Sequence, residues 1–331
     1  MEVLKKYKNQ IYFHLVLNLA VAGFVTFASL IHIPLNNWYG YFLNAGLFLI
    51  IQFTVFGFLY LLSLSRFFFK LGLLDFAGGT VVHMSAGFAA LVASIYLRDK
   101  TVVKKAIAPA NIPFVLLGTG LLWFGWFGFN AGSALSAGVL AASAFATTNT
   151  ASAAAGLCWV LFDAVRGKKP SALGFCIGSV VGLVAITPAA GFVTIPSSLF
   201  IGTIASLISN VVVSWKSKTS LEDTLDVFPC HGVGGAVGML MTGLLANTAV
   251  NAANTTGNGL LFGEFNLFKI HLIGLVLAIV FIVVGSFIIL KITDLLSPMT
   301  ITKEEKKIGS DISQHGERLQ NYELEPLREA V

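Results

Sequence analysis

Apolar residues along most of this chain neither alternate with polar ones nor keep to one side of a helical turn; they fill stretches of about 20 consecutive positions. The run Ile270–Leu290 holds no charged residue. That is long enough for one helix to cross the hydrocarbon layer of a bilayer. A membrane β-barrel would read as shorter segments of alternating polarity. Nine stretches are predicted to span: 11–31, 41–62, 77–97, 113–132, 138–163, 171–189, 197–215, 229–247 and 270–292. From Pro298 onward the chain turns polar and charged. The predicted fold is all-α: a polytopic transmembrane helical bundle over 1–297, followed by a cytosolic tail over 298–331.

Composition agrees. Of 331 residues, 56% are apolar and 11% charged, against about 25% charged in soluble domains, so the surface is built for lipid. The net charge of +5 sits in loops between apolar spans and implies no nucleic-acid partner. Cys158, Cys176 and Cys230 lie in or beside apolar stretches without a CxxC or Cys/His pattern; they read as buried small residues, and no metal or cofactor is called for. The first stretch, Ile11–Ile31, is of spanning length and lacks a clear small-residue cleavage site, so no cleavable signal peptide is expected.

Basic residues set the orientation. Arg98, Lys100, Lys104 and Lys105 follow the third span, Arg166, Lys168 and Lys169 the fifth, Lys216 and Lys218 the seventh, and Lys303, Lys306 and Lys307 the ninth. All fall on one side, which puts the C-terminus in the cytosol. Lys5, Lys6, Lys8, Arg66 and Lys70 break the pattern, leaving the orientation of the first two stretches open.

Ionisable side chains at membrane depth cost about 2.5–3.5 kcal/mol each on insertion scales, and they face a partner or a pathway. His83 and His231 lie early in the third and eighth spans, each followed by glycine four residues on (Gly87, Gly235) and preceded by an aspartate, Asp75 and Asp226. Such matched features suggest an internal repeat, as in transporters. Gly78, Gly79, Gly232, Gly234 and Gly238 permit close helix approach, so the two imidazoles are expected to meet, share a proton, and offer their outer nitrogens to a small molecule. The plainer alternative is two unrelated histidines satisfied by neighbouring helices. Asp75 is read as a helix cap that also supplies negative potential at an extracellular mouth, and Asp226 as a cap on the cytosolic side. In the fourth span, aromatics interleave with Gly120, Gly125, Gly128 and Gly132; they are expected to stand beside a close backbone crossing, where a ring can hold a cation. Phe129 and Ser133, four apart, share one face.

The segments Asp75–Gly87, Trp123–Ser133, Phe145–Ala155, Gly182–Gly191 and Asp226–Gly235, together with the tail Gly309-Ser-Asp311…His315-Gly-Glu317, resemble the Amt/Mep/Rh ammonium transporters, on the Amt side. The likeness runs from about Leu71 to Tyr322. It implies ammonium or ammonia conduction through a pore in each subunit of a homotrimer in the cell membrane, with an inverted repeat in the fold. It implies a twin-histidine pair at His83 and His231, the outer acidic residue at Asp75, the recruitment-site hydroxyl at Ser133, and the inner phenylalanine gate at Phe129. Thr187 matches the lumen threonine and Trp126 an aromatic neighbour of the pore. A cytosolic regulatory protein at the tail is a further expectation. The sequence also departs from the family. Two apolar stretches precede Asp75 where four are expected, so the first half reads as shortened; Ser63 stands where a tryptophan is expected; Phe24, Phe27 and Phe53 are candidates by type for the outer phenylalanine; and Pro229 can shift a helix start. With a wall shortened, a lipid-filled groove beside His83 is expected. These departures favour a second function class, a non-conducting receptor or regulatory subunit. A membrane enzyme is a third, with no HExxH, GxSxG or paired-Asp signature behind it.

Overall fold

The computed structural model describes residues 68–98, 111–296, 299–300, 302–309 and 311–316. The first two predicted spans, with Phe24, Phe27, Phe53 and Ser63, lie outside them. The other seven spans are helices: α1 Gly79–Tyr96, α2 Ile112–Gly132, α3 Val139–Val165, α4 Ala172–Ile186, α5 Ile195–Lys216, α6 Phe228–Leu245 and α7 Phe265–Leu296. Among the described residues there is no strand.

Local chemistry sets the helix starts. Asn111, Ser171 and Thr194 each accept a backbone N–H from their own first turn, and Pro113 and Pro196 follow two of these caps, where their missing N–H costs nothing. Two helices begin differently. α1 opens with a π-helical turn, Gly79–Met84, and α6 with another, Phe228–Val233, before each continues as regular α-helix. His83 and His231 sit in those turns.

Small residues bring the helices together. Helix α3 lies between α4 and α5, and a Cβ on Gly178 or Gly182 of α4 would press on the Ala155 and Ala151 carbonyls. Gly202 of α5 approaches the same Ala151 backbone. Side-chain hydroxyls bridge the helices: Thr147 donates to the Ala190 carbonyl (2.8 Å), Ser152 to Ser179 (3.1 Å) and Ser206 to Ala155 (2.8 Å). In lipid, where apolar burial drives nothing, such close packing and polar bonds hold a bundle. Helix α7 covers α1 and α6.

One end of the bundle collects the C-termini of α1, α3, α5 and α7. There Arg166 donates to Asn210 (2.9 Å) and Ser214 (3.1 Å), and Tyr96 donates to Asp294 (2.8 Å). Beyond α7, Thr302 and Glu305 cap the short helix α8, Lys303–Ile308, reciprocally, and the Thr302 N–H and hydroxyl hold the Glu305 carboxyl below the usual carboxylate range. The opposite end gathers the loop before α1, the ends of α4 and α6, and the start of α7.

The tightest crossing among the described residues joins α1 to α6: a Cβ on Gly87 would collide with the backbone of Gly232. The α2 glycines behave otherwise. Gly120, Gly125, Gly128 and Gly132 have nothing among the described residues within 4 Å of where a Cβ would stand, so no described helix makes the close crossing expected there; α2 meets α4 through Trp126 and meets α3 through Asn130, which donates to Thr148 (3.0 Å). Gly87→Ala should therefore cost about 1–3 kcal/mol or more through overpacking. Gly118→Ala, where an added Cβ would meet no described residue within 4 Å, should be neutral or stabilising by up to about 1 kcal/mol. Thermal unfolding of the two variants in detergent checks this; equal midpoints would overturn the crossing's importance.

Candidate functional site

The two π-helical turns bring the histidines face to face. His231 Nδ1 lies 3.4 Å from His83 Nδ1, with ring centroids 5.4 Å apart. At that separation only one proton fits between the two nitrogens, so one ring donates and the other accepts. His83 is 5% exposed, and Trp126 stacks on it at 5.1 Å and 23°. Phe129 stands 6.0 Å from the same ring and edge-on to Trp126. On the α2 side the ring is thus covered by Trp126 and Phe129; the two stretches that would border the expected groove lie outside the described residues.

Thr187, at the end of α4 and fully buried, orders the pair. Its hydroxyl oxygen has three neighbours: the Leu183 carbonyl (2.7 Å), Trp126 Nε1 (3.0 Å) and His83 Nε2 (3.2 Å). A hydroxyl carries one proton and two lone pairs. All three neighbours are satisfied together only if Thr187 donates to Leu183 and accepts from both Trp126 and His83. His83 then carries its proton on Nε2, its Nδ1 accepts from His231 Nδ1–H, and His231 Nε2 is left as a bare acceptor. This tautomer assignment follows from the hydrogen-bond network.

Both turns are held by aspartates at one spacing. Asp75, eight residues before His83, accepts the backbone N–H groups of Thr80 (3.0 Å) and Val81 (3.4 Å). Asp223, eight before His231, accepts those of Val227 (2.9 Å) and Phe228 (2.9 Å). Each carboxylate satisfies donors that a helix start leaves orphaned. Asp223, and not Asp226, is therefore the counterpart of Asp75. Asp226 has a left-handed φ of +54° and pairs through its carboxylate with the buried Lys216, which also donates to the Asp223 carbonyl. A buried ammonium needs such a partner. Trp123 Nε1 is buried without a hydrogen-bond partner among the described residues.

The loop before α1 is braced by α4. Phe76 N–H donates to the Pro188 carbonyl (3.0 Å) and Ala77 N–H to that of Thr187 (3.2 Å). Gly79 rests on the Pro188 ring, and Gly78, with φ +87°, supplies the left-handed step into the turn. Of the expected site residues, the structure joins His83, His231, Thr187, Trp126 and Phe129 in one cluster, with Asp75 at its head. Ser133 stays apart at the end of α2, its hydroxyl donating to its own helix at the Phe129 carbonyl (2.9 Å). Asp223, and His271 on α7, are absent from the expected site; for Asp223 the eight-residue spacing to the histidine was the available signal.

Thr187→Val keeps shape but removes the shared oxygen, leaving Trp126 Nε1 and His83 Nε2 unpaired at a cost of about 1–3 kcal/mol. Thr187→Ser should recover most of that loss. Thermal unfolding of both variants measures it, and a Thr187→Val protein as stable as the wild type would refute the arrangement.

The sequence model of the Ammonium Transporter Family matches residues 10–320. The chain is 45% identical over 253 residues to the ammonium transporter of Bacillus subtilis, covering 75% of this chain and 61% of that protein. It is 40% identical over 249 residues to Ammonium transporter Amt1 of Archaeoglobus fulgidus, covering 75% and 62%. Among solved structures, Saccharomyces cerevisiae Mep2 superposes with a TM-score of 0.69 at 35% identity, over 77% of this chain and 60% of that one. A Sensor Amt Protein superposes with a TM-score of 0.66 at 29% identity, over 75% and 62%. The chain spans about three fifths of the length of the curated relatives it matches. With its apolar helices, matched sequence and shared fold taken together, this multi-pass membrane protein belongs to the Ammonium Transporter Family.

Proposed function

We propose that the chain conducts ammonium or ammonia through a pore in each subunit of a homotrimer in the cell membrane, its C-terminus and tail (298–331) in the cytosol. The observation carrying this reading is the imidazole pair, 3.4 Å apart and enclosed by Trp126, Phe129 and Thr187. A dry passage of this kind excludes bare metal cations, whose hydration nothing replaces. It admits a molecule that gives or takes a single hydrogen bond at each step. His231 Nε2, left with a lone pair, accepts an N–H from the passing molecule, and a proton can be shared between His231 and His83. Asp75 supplies negative charge above the pair, where a cation first arrives; Phe129 and Trp126 present ring faces that favour an ammonium ion over water; and Ser133, on the helix end beyond Phe129, offers a hydroxyl to the same ion.

The family is one of transporters, and an enzymatic role is set aside on that ground. A non-conducting receptor of the same fold is the second reading, favoured by the likeness to a solved structure titled Sensor Amt Protein. Uptake of labelled methylammonium by a transport-deficient cell separates the two: a receptor binds without uptake.

His83→Ala and His231→Ala should each change uptake rate or selectivity at least tenfold while the trimer still assembles on size-exclusion chromatography. Wild-type uptake and selectivity in both variants would sink the pathway. The tail is expected to dock on the cytosolic loops, where a regulatory protein would reach it. Deleting 303–331 should therefore alter uptake without preventing membrane insertion, and identical transport by the truncated protein would count against docking.

A further inference from the structure

We propose that His271, on α7, is a positioning residue that fixes the Asp75 loop to the second histidine helix, so that its loss weakens capture of the permeating cation rather than the maximal rate. The inference rests on the conduction pathway above. His271 is fully buried. Its Nδ1 lies 2.8 Å from the Met239 carbonyl, and its Nε2 receives the Leu74 N–H at 3.3 Å. A carbonyl can only accept and a backbone N–H can only donate, so the partners dictate one tautomer: proton on Nδ1, lone pair on Nε2. One ring thereby joins two separate pieces of the pathway. Met239 lies on α6, eight residues beyond His231, and Leu74 is the residue before Asp75.

The surroundings are cut to hold the ring. A Cβ on Gly243 would stand 2.9 Å from His271 Cβ and 3.1 Å from Cγ, so α6 needs glycine there to admit α7. One turn past His271, Gly274 leaves room for Leu73, where an added Cβ would collide with the Leu73 side chain and meet Met239 Cε at 2.9 Å. Leu73 and Met239 belong to one buried apolar cluster with Met84, Ala278 and Ile282. Two successive loop residues, Leu73 by packing and Leu74 by its N–H, are thus gripped by α7. From Leu74 the chain passes to Asp75, whose carboxylate holds the first N–H groups of the turn carrying His83. Without the ring, the Leu74 N–H has no acceptor at this depth, and the loop must shift to find one.

The test compares His271→Leu and His271→Gln in the full chain. Leucine fills the space and bonds to neither partner; glutamine carries both a donor and an acceptor. We expect His271→Leu to raise half-saturating methylammonium about tenfold, the equivalent of one hydrogen bond, with maximal uptake within about twofold of wild type. Amide exchange over residues 73–84 should quicken while α3 to α5 are unchanged, and His271→Gln should restore both properties. Wild-type half-saturation and exchange in His271→Leu would overturn the proposal. So would a uniform gain in exchange across all helices that glutamine fails to reverse, which marks a merely structural bolt. If His271→Leu fails to assemble, His271→Asn, too short to span both partners, takes its place under the same criteria. If the wild type itself takes up nothing, conduction falls, and the exchange measurement still decides whether His271 positions the loop.

Discussion

Where Gly87 crosses Gly232, backbone meets backbone with no room for a methyl group, and the spacing of the imidazoles depends on that contact. A helix pair separated by ordinary side chains runs 8–10 Å apart, which would hold the histidine rings away from a shared proton. The crossing alone is insufficient, because helix starts at membrane depth expose N–H groups that lipid cannot satisfy. Asp75 and Asp223 meet that need eight residues ahead of each histidine. Close approach, capped starts and widened first turns form one constraint, repeated in two halves of the chain.

The parts of this arrangement that depend on rarity were legible in the sequence. A histidine inside an apolar stretch is conspicuous, and glycine four residues later fixes which face it shares. Fold class followed from run length alone, since seven of the predicted stretches are helices close to the expected boundaries. Thr187, Trp126 and Phe129 came from likeness to a family, and their meeting around His83 depends on α2 and α4 arriving from distant sequence.

What stayed illegible has physical causes. Asp226 drew attention as the aspartate nearer to His231, yet proximity in sequence is not capping geometry; Asp226 turns left-handed to reach Lys216, and Asp223 does the capping. The glycines of α2 look in the sequence like those of α1 and α6, and only the path of the neighbouring chain decides which of them meets another backbone, as Gly87 meets Gly232. His271 stands in an apolar stretch as conspicuously as His83 and His231 do, but no matched aspartate and glycine accompany it, and both of its partners are backbone groups, which carry no sequence signal. Lys216, read as one of several basic residues marking a cytosolic loop, is buried against two aspartates.

The near-symmetry of the two halves stops at Thr187. Asp75 and Asp223 mirror each other, as do the two opening turns, but the threonine hydroxyl bonds to His83 alone among the pair. The row of hydrogen bonds from His231 through His83 to the Leu183 carbonyl therefore points one way. Its far end is a backbone carbonyl, which accepts a hydrogen bond and passes no proton onward. Beyond His83 the row therefore fixes and does not relay: it commits both nitrogens of that ring, one to the threonine and one to its partner histidine. A scaffold with two like halves thus holds two unlike imidazoles, and His231 is the one whose outer nitrogen carries the spare lone pair.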